Sequence, residues 1–271
     1  MDTTVTRHLA RMTWTQVAAA LARRPVVLVP LGALEPHGPH MPMGLDFLVA
    51  EHMAEAAAER TNSLIAPTLP HGYGVSSADF PGAVTLRAET LIALVEDTLR
   101  SLVRHGVTHL LLVDNHRSNN AYVEVAARRI RAETGALVGS FFPWGTIINL
   151  APPLYENLSA VLGHGGEPET SVALYLYPDR VDMAQARPDR FAPFHGQVMR
   201  SASEPALGKA AAHLWVTSRE ISETGITGDP TIADPARGRT LVEGAIQELV
   251  RVIEAFHRLP AGTIHPTGGS A

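Results

Sequence analysis

Four short apolar runs punctuate the first half of the chain: "PVVLVPLG" (25–32), "SLIAPTLP" (63–70), "HLLLVDNH" (109–116) and "ALVGSFFPWG" (136–145). Each is rich in Val, Ile, Leu or Phe and stops at or beside Gly, Pro or Asn, as strands do. Their apolarity is continuous rather than alternating, so both faces are buried, and parallel pairing is expected. Between them the period changes. Residues 46–60, "DFLVAEHMAEAAAER", are strong helix formers. Residues 88–105 set Leu91, Leu94, Val95, Leu99 and Leu102 on one face of a helix. A third helix is expected over 120–133, and two more near 167–177 and 236–257. Strands alternating with helices predict an α/β fold with helices on both sides of a parallel sheet. With no repeat, linker or break in composition, residues 1–271 read as one domain, and the small, polar stretch 259–271 as a loose tail.

In such sheets ligands gather at the carboxyl ends of the strands. Here four loops leave those ends carrying polar groups: "LGALEPHGPH", "HGYGVSSADFPG", "DNHRSNN" and "PWG". Glu35 and His37 are two apart, which puts them on one face of extended backbone. Asp46 stands where a helix begins, and a helix cap alone accounts for an Asp there. His116 follows a strand end. "HGGEPETS" (164–171) places His164, Glu167 and Glu169 around another helix start, where carboxylates are favoured in any case.

Composition narrows the chemistry. The chain of 271 residues has no cysteine, which removes disulfides, thiolate metal sites and cysteine nucleophiles. It has 13 histidines, so nitrogen and oxygen ligands suit Zn²⁺, Mn²⁺ or Fe²⁺. Two such ions roughly 3.5–4 Å apart share a water-derived ligand and clamp a substrate oxygen. A net charge of −5 leaves no basic footprint for nucleic acid or anionic membrane. No apolar run is long enough to span a bilayer, and "MDTTVTRHLARMTW" lacks a signal-peptide core. A cytoplasmic protein is expected. No "G-x-S-x-G" elbow supports a serine hydrolase.

These motifs, in this order, resemble the creatininase (creatinine amidohydrolase) family along nearly the whole chain. The family pattern P-x-G-x-x-E-x-H-G-x-H-L-P-x-x-x-D is met by "PLGALEPHGPHMPMGLD" at every anchor except Met41 for Leu. "FPGA" (80–83), "DNHRSN" (114–119), "HGGEPETS" and "GITGDP" (225–230) follow in order, with "GRTLVEGAI" soon after. The resemblance implies a three-layer α/β/α sandwich and a homo-oligomer, with a hexamer favoured. It implies two divalent ions per subunit, Zn and/or Mn, with Fe as a further option. The activity implied is that of a metal-dependent hydrolase of carbon–nitrogen bonds other than peptide bonds, opening a cyclic amide or a related small amide with a metal-activated water. Carried over by motif, Glu35, His37, Asp46 and His116 are ligands, with Asp46 bridging. Glu169 is the fifth ligand, because Ser118 stands where creatininase has a glutamate. Glu167 and His164 are the proton-transfer groups. Arg117 and Ser118 replace two glycines, and Asp79 stands where relatives have a histidine. With Ser77 and Trp144 these residues are expected to face the substrate, and they point away from creatinine itself. Deformylation of a formamide and hydrolysis of a cyclic keto-sugar are alternatives within the family. A metal-binding scaffold without catalysis is the alternative outside it.

Overall fold

The computed structural model describes residues 6–199, 205–207 and 212–262. Four parallel strands form the sheet, in the order β2-β1-β3-β4: β1 (Val27–Leu31), β2 (Leu64–Ile65), β3 (His109–Asp114) and β4 (Leu137–Phe141). The central pair is in register from Val27–Leu110 to Leu31–Asp114. Every residue of β1 and β3 is buried, as their unbroken apolarity requires.

Proline trims the sheet. The run 63–70 yields only two strand residues, because Pro67 and Pro70 have no N–H to give a ladder. Past Ile65 the ladder continues only through the Ala66 N–H to the Leu28 carbonyl at 2.9 Å, and the chain meets β1 again at Leu69, whose N–H bonds the Pro30 carbonyl at 2.9 Å. Pro30 therefore turns its missing donor toward the side where regular pairing has ended. The run 136–145 is cut likewise: Pro143 opens a helix, a position where its absent N–H costs nothing.

Helices α1 (Trp14–Leu21), α2 (Leu45–Thr61), α3 (Ala88–Arg104), α4 (Asn120–Thr134), α5 (Pro143–Leu150), α6 (Leu158–Val161), α7 (Glu169–Leu176), α8 (Ser218–Ile221) and α9 (Pro235–His257) cover the sheet. One face packs against α2, α5, α7 and α9 through Met53, Ile147, Val172, Ile246 and Leu249. The other packs against α1, α3 and α4 through Ala20, Leu91, Leu99 and Ile130. The result is the expected three-layer α/β/α arrangement. On α3 the expected stripe is narrower than its pattern: Leu91, Val95 and Leu99 are fully buried, but Leu94 is exposed. The expected loose tail lies outside the described residues from 263 onward.

Two glycines bring the site together. A Cβ on Gly32 would lie 2.5 Å from the backbone N of Phe47, so only glycine lets the loop after β1 cross the first turn of α2. Gly165 has φ +67° and sits against the His37 backbone, which lays the turn before α7 onto the same loop.

Candidate metal centre and active-site cleft

Asp46 belongs to the first turn of α2, but Gly44 occupies the cap position. Its carboxylate instead turns inward, where it is 1% exposed. Oδ1 lies 3.3 Å from His37 Nε2 and Oδ2 lies 3.0 Å from His116 Nδ1. Each oxygen thus faces a different histidine, which is the division a bridging carboxylate needs. Glu35 Oε1 lies 2.9 Å from the same His116 Nδ1.

The three histidines are oriented alike. His37 Nδ1 donates to the Glu35 carbonyl at 3.2 Å, His116 Nε2 to the Tyr73 carbonyl at 3.0 Å, and His164 Nε2 to the Pro36 carbonyl at 2.8 Å. One ring nitrogen is spent on backbone, and the other is left to ligate. The His37 and His164 rings pack with centroids 4.6 Å apart. Ligand atoms of Glu35, Asp46 and His116 lie within 4.8 Å of one another, as do those of Glu35, His37 and His164. Two carboxylates and three backbone-tied imidazoles, converging below the surface, fit divalent ions held by nitrogen and oxygen.

Electrostatics without an ion point the same way. Burial opposes charge on Glu35, but the positive charge and hydrogen bond of His116 outweigh it and pull Glu35 down to about 2. Burial also opposes charge on Asp46, which His37 and His116 overcome and lower. For His37, burial is outweighed by Asp46, and its pKa rises to about 9. His116 is raised well above its ordinary value against burial, by Glu35 and Asp46. Protons here occupy the place that cations would take.

Neighbouring side chains fix the acids. Trp144 Nε1 donates to Asp46 Oδ1 at 2.9 Å, and the Ser77 hydroxyl donates to Glu35 Oε2. Asn119 joins three loops: its amide nitrogen donates to Gly32 O and Asp114 Oδ1, and its oxygen accepts from Tyr73 N. Asn115 accepts from Trp144 N at 2.8 Å. His40 bonds Thr170 of α7 at 3.0 Å rather than a ligand, and burial with the charge of His37 lowers it to about 4.

A cleft of about 470 Å³ opens over these groups. Glu35, Ser77, Asp46, His116, Arg117, Ser118, Trp144, His164, Glu167 and Glu169 all line it. Asp79 is not among the lining residues: it is exposed, past the short turn Val75–Ser77. Ser77 and Trp144, expected to meet substrate, form part of the wall and also hold Glu35 and Asp46. Glu167 departs most from expectation. It is 0% exposed, and Oε1 accepts from Ser171 N while Oε2 accepts from Tyr155, Ser171 Oγ and Arg237. Both oxygens accept hydrogen bonds, three of them at Oε2, which tie the carboxylate to Tyr155, Ser171 and Arg237. Glu169 accepts from Gly165 N at 2.7 Å, and its negative charge contributes to raising His37.

The creatininase family profile, described as creatinine amidohydrolase, matches residues 10–253. The chain belongs to the creatininase family. The creatinine amidohydrolase of Pseudomonas putida is 32% identical over 234 residues, covering 79% of this chain and 90% of that one. The mycofactocin precursor peptide peptidase of Mycobacterium tuberculosis is 27% identical over 250 residues, 89% of each chain. A solved structure titled as a manganese creatininase superposes with a TM-score of 0.77 at 26% identity, over 94% of this chain and 100% of that one. Membership in the creatininase family makes this protein an enzyme, a hydrolase of amide-type carbon–nitrogen bonds. Among the described residues no helix is long and apolar enough to cross a membrane.

Proposed function

We propose that the protein is a metal-dependent amidohydrolase that cleaves the C–N bond of a small amide, cyclic or open, other than creatinine. The observation that carries this is the Asp46 carboxylate set between His37 and His116 with Glu35 beside it. Glu35, His37, Asp46 and His116 would hold two divalent ions, Zn or Mn, and Glu169 would complete the set. When bound, such ions supply a water of lowered pKa and polarise an amide carbonyl.

The rest is done by the chain's own groups. Ser77 and Trp144 keep Glu35 and Asp46 in one orientation. His164, tied to Pro36 O through one nitrogen, keeps a second nitrogen free to pass a proton to the departing nitrogen of the substrate. Glu167 has no part in that transfer and instead pins α7 to α9 through Arg237. A second reading exchanges two roles: His164 lies within ligand reach of Glu35 and His37, so it would bind an ion and Glu169 would carry the proton. The metal content of His164→Gln and Glu169→Gln separates them, since only the ligand's loss lowers it.

The test is a panel of lactams, N-formyl compounds and cyclic keto-sugars, assayed after chelation and after return of Mn²⁺ or Zn²⁺. Turnover that survives chelation contradicts this reading. We also read the protein as a cytoplasmic homo-oligomer, with a hexamer favoured, which light scattering of the purified chain checks directly.

A further inference from the structure

Arg117 is the one lysine or arginine among the described residues lining the cleft. It is exposed, and it begins the short turn Arg117–Asn119 directly after His116. Four carboxylates share that cleft, yet each is engaged elsewhere: Glu35 and Asp46 with histidines, Glu167 with Arg237, Glu169 with Gly165 N. Among the described residues no acceptor lies within hydrogen-bond distance of the Arg117 guanidinium. Arg117 is therefore not placed to neutralise the site's own acids. The pattern of the resemblance has glycine here, so the backbone path does not call for a long side chain.

We infer that Arg117 binds a carboxylate on the substrate, and that the substrate class is N-acyl amino acids or closely similar amides with a carboxylate near the scissile bond. This rests on the amidohydrolase reading above. Three observations set the chemistry. The guanidinium is a planar fork that pairs two-to-two with a carboxylate. A phosphate monoester, with close to two negative charges, would find a single arginine outside the groups already engaged in this cleft, whereas a carboxylate matches that one cation charge for charge. Arg117 follows His116 in the chain and lines the same cleft as Glu35, Asp46 and His116, so the anion it holds shares one compartment with the amide under attack. Phe142, Ile148, Leu162 and Phe191 supply apolar wall for an amino-acid side chain or acyl group, and Ser76 and Ser118 supply hydroxyls. The reaction balances simply. Water adds its oxygen to the acyl carbon, the C–N bond breaks with its electron pair going to nitrogen, and that nitrogen takes a proton. A carboxylic acid and a free amino acid leave.

The experiment pairs matched compounds, N-acetylglycine against N-acetylglycinamide and N-formyl-leucine against N-formyl-leucinamide, on the metal-loaded wild type, Arg117→Gln and Arg117→Lys. A charge-assisted bidentate contact predicts a wild-type preference for the acid over the amide of about ten- to a hundredfold in kcat/KM. That ratio collapses toward one in Arg117→Gln and is intermediate in Arg117→Lys. A wild-type ratio near one, or a ratio that Arg117→Gln leaves unaltered, overturns the inference while the amidohydrolase reading stands. Calorimetric binding of the same acid and amide decides the point if neither is hydrolysed. Tighter binding of the acid that is lost in Arg117→Gln upholds the carboxylate site and counts only against the reaction. Equal binding of both overturns it. Inorganic phosphate that competes better than acetate in that titration also overturns it, in favour of a phosphate site.

Discussion

Two groups of buried carboxylates share one cleft and are neutralised differently. Glu35 and Asp46 sit among His37, His116 and His164. Glu167 sits against Arg237, with Tyr155 and Ser171 closing the circle. Arg237 also lies over the Tyr155 ring, its guanidinium carbon 4.4 Å from the centroid. An arginine is permanently charged and offers no lone pair, so an acid paired with it is settled. An imidazole gives up its proton near neutral pH and becomes a ligand. The partner, more than the acid, therefore separates carboxylates open to a cation from one already settled by an arginine in this protein.

Breaking the first group has the largest expected effect. Asp46→Ala removes the group shared by both histidines, and activity on any amide substrate falls about a thousandfold or more, with loss of bound metal and the helical circular dichroism retained. Breaking the second costs stability instead. Arg237→Met leaves Glu167 buried without its cation and lowers unfolding free energy by roughly 3 kcal/mol, as thermal or urea unfolding reads it. Its metal content stays at the wild-type level, and a loss of ions there would erase the distinction drawn between the two groups. Smaller still is Trp144→Phe, which deletes the indole N–H on Asp46. Metal affinity or kcat is expected to drop about ten- to a hundredfold.

The first group also carries a pH signature of its own. His37 is raised from 6.5 to about 9 in the metal-free protein. Its charged form therefore stabilises the fold fully below pH 6.5, and that contribution disappears as pH climbs through 9. Glu35, lowered from 4.5 to about 2, contributes above pH 4.5 and loses its contribution as pH falls through 2. The metal-free melting temperature is thus expected to decline between pH 6.5 and 9, while metal affinity rises over the same interval as the histidines deprotonate. Parallel curves for the metal-free and loaded protein contradict this. A separate pH effect is expected at Asp114, which burial raises to about 7 although Asn119 and the His116 N–H bond its Oδ1. Its Oδ2 has no partner among the described residues. Such an acid stabilises the fold below its unfolded value of 3.8 and ceases to as pH rises through 7. Asp114→Asn should therefore raise the melting temperature most at pH 8 and progressively less as pH falls toward about 4.

How far the sequence carries can be seen in the same residues. β1 and β3 are legible because burial on both faces leaves an unbroken apolar run, and Glu35, His37 and His116 because they leave the ends of those strands. Asp46 is ambiguous in sequence, since a cap and a ligand use the same residue type, and only the fold shows its carboxylate turned inward to His37 and His116 while Gly44 holds the cap position. β2 is over-read, because apolar content does not record that Pro67 and Pro70 cannot pair. Helix α1 escapes notice although "TWTQ" at 13–16 is a capping box, with Thr13 and Gln16 bonding reciprocally. The pairing of Glu167 with Arg237 is invisible in sequence because the two are 70 positions apart in the chain. Ser77 on Glu35 and Trp144 on Asp46 are hidden for the same reason. Pairings across such separations leave no local period or spacing to read.

Anomalous diffraction from crystals grown with Mn²⁺ addresses the metal centre most directly. Two peaks are expected in each chain, both in contact with Asp46, one shared with His37 and one with Glu35 and His116. Crystals that place no ion against Asp46, or place one at Glu167 and Arg237 instead, contradict the account.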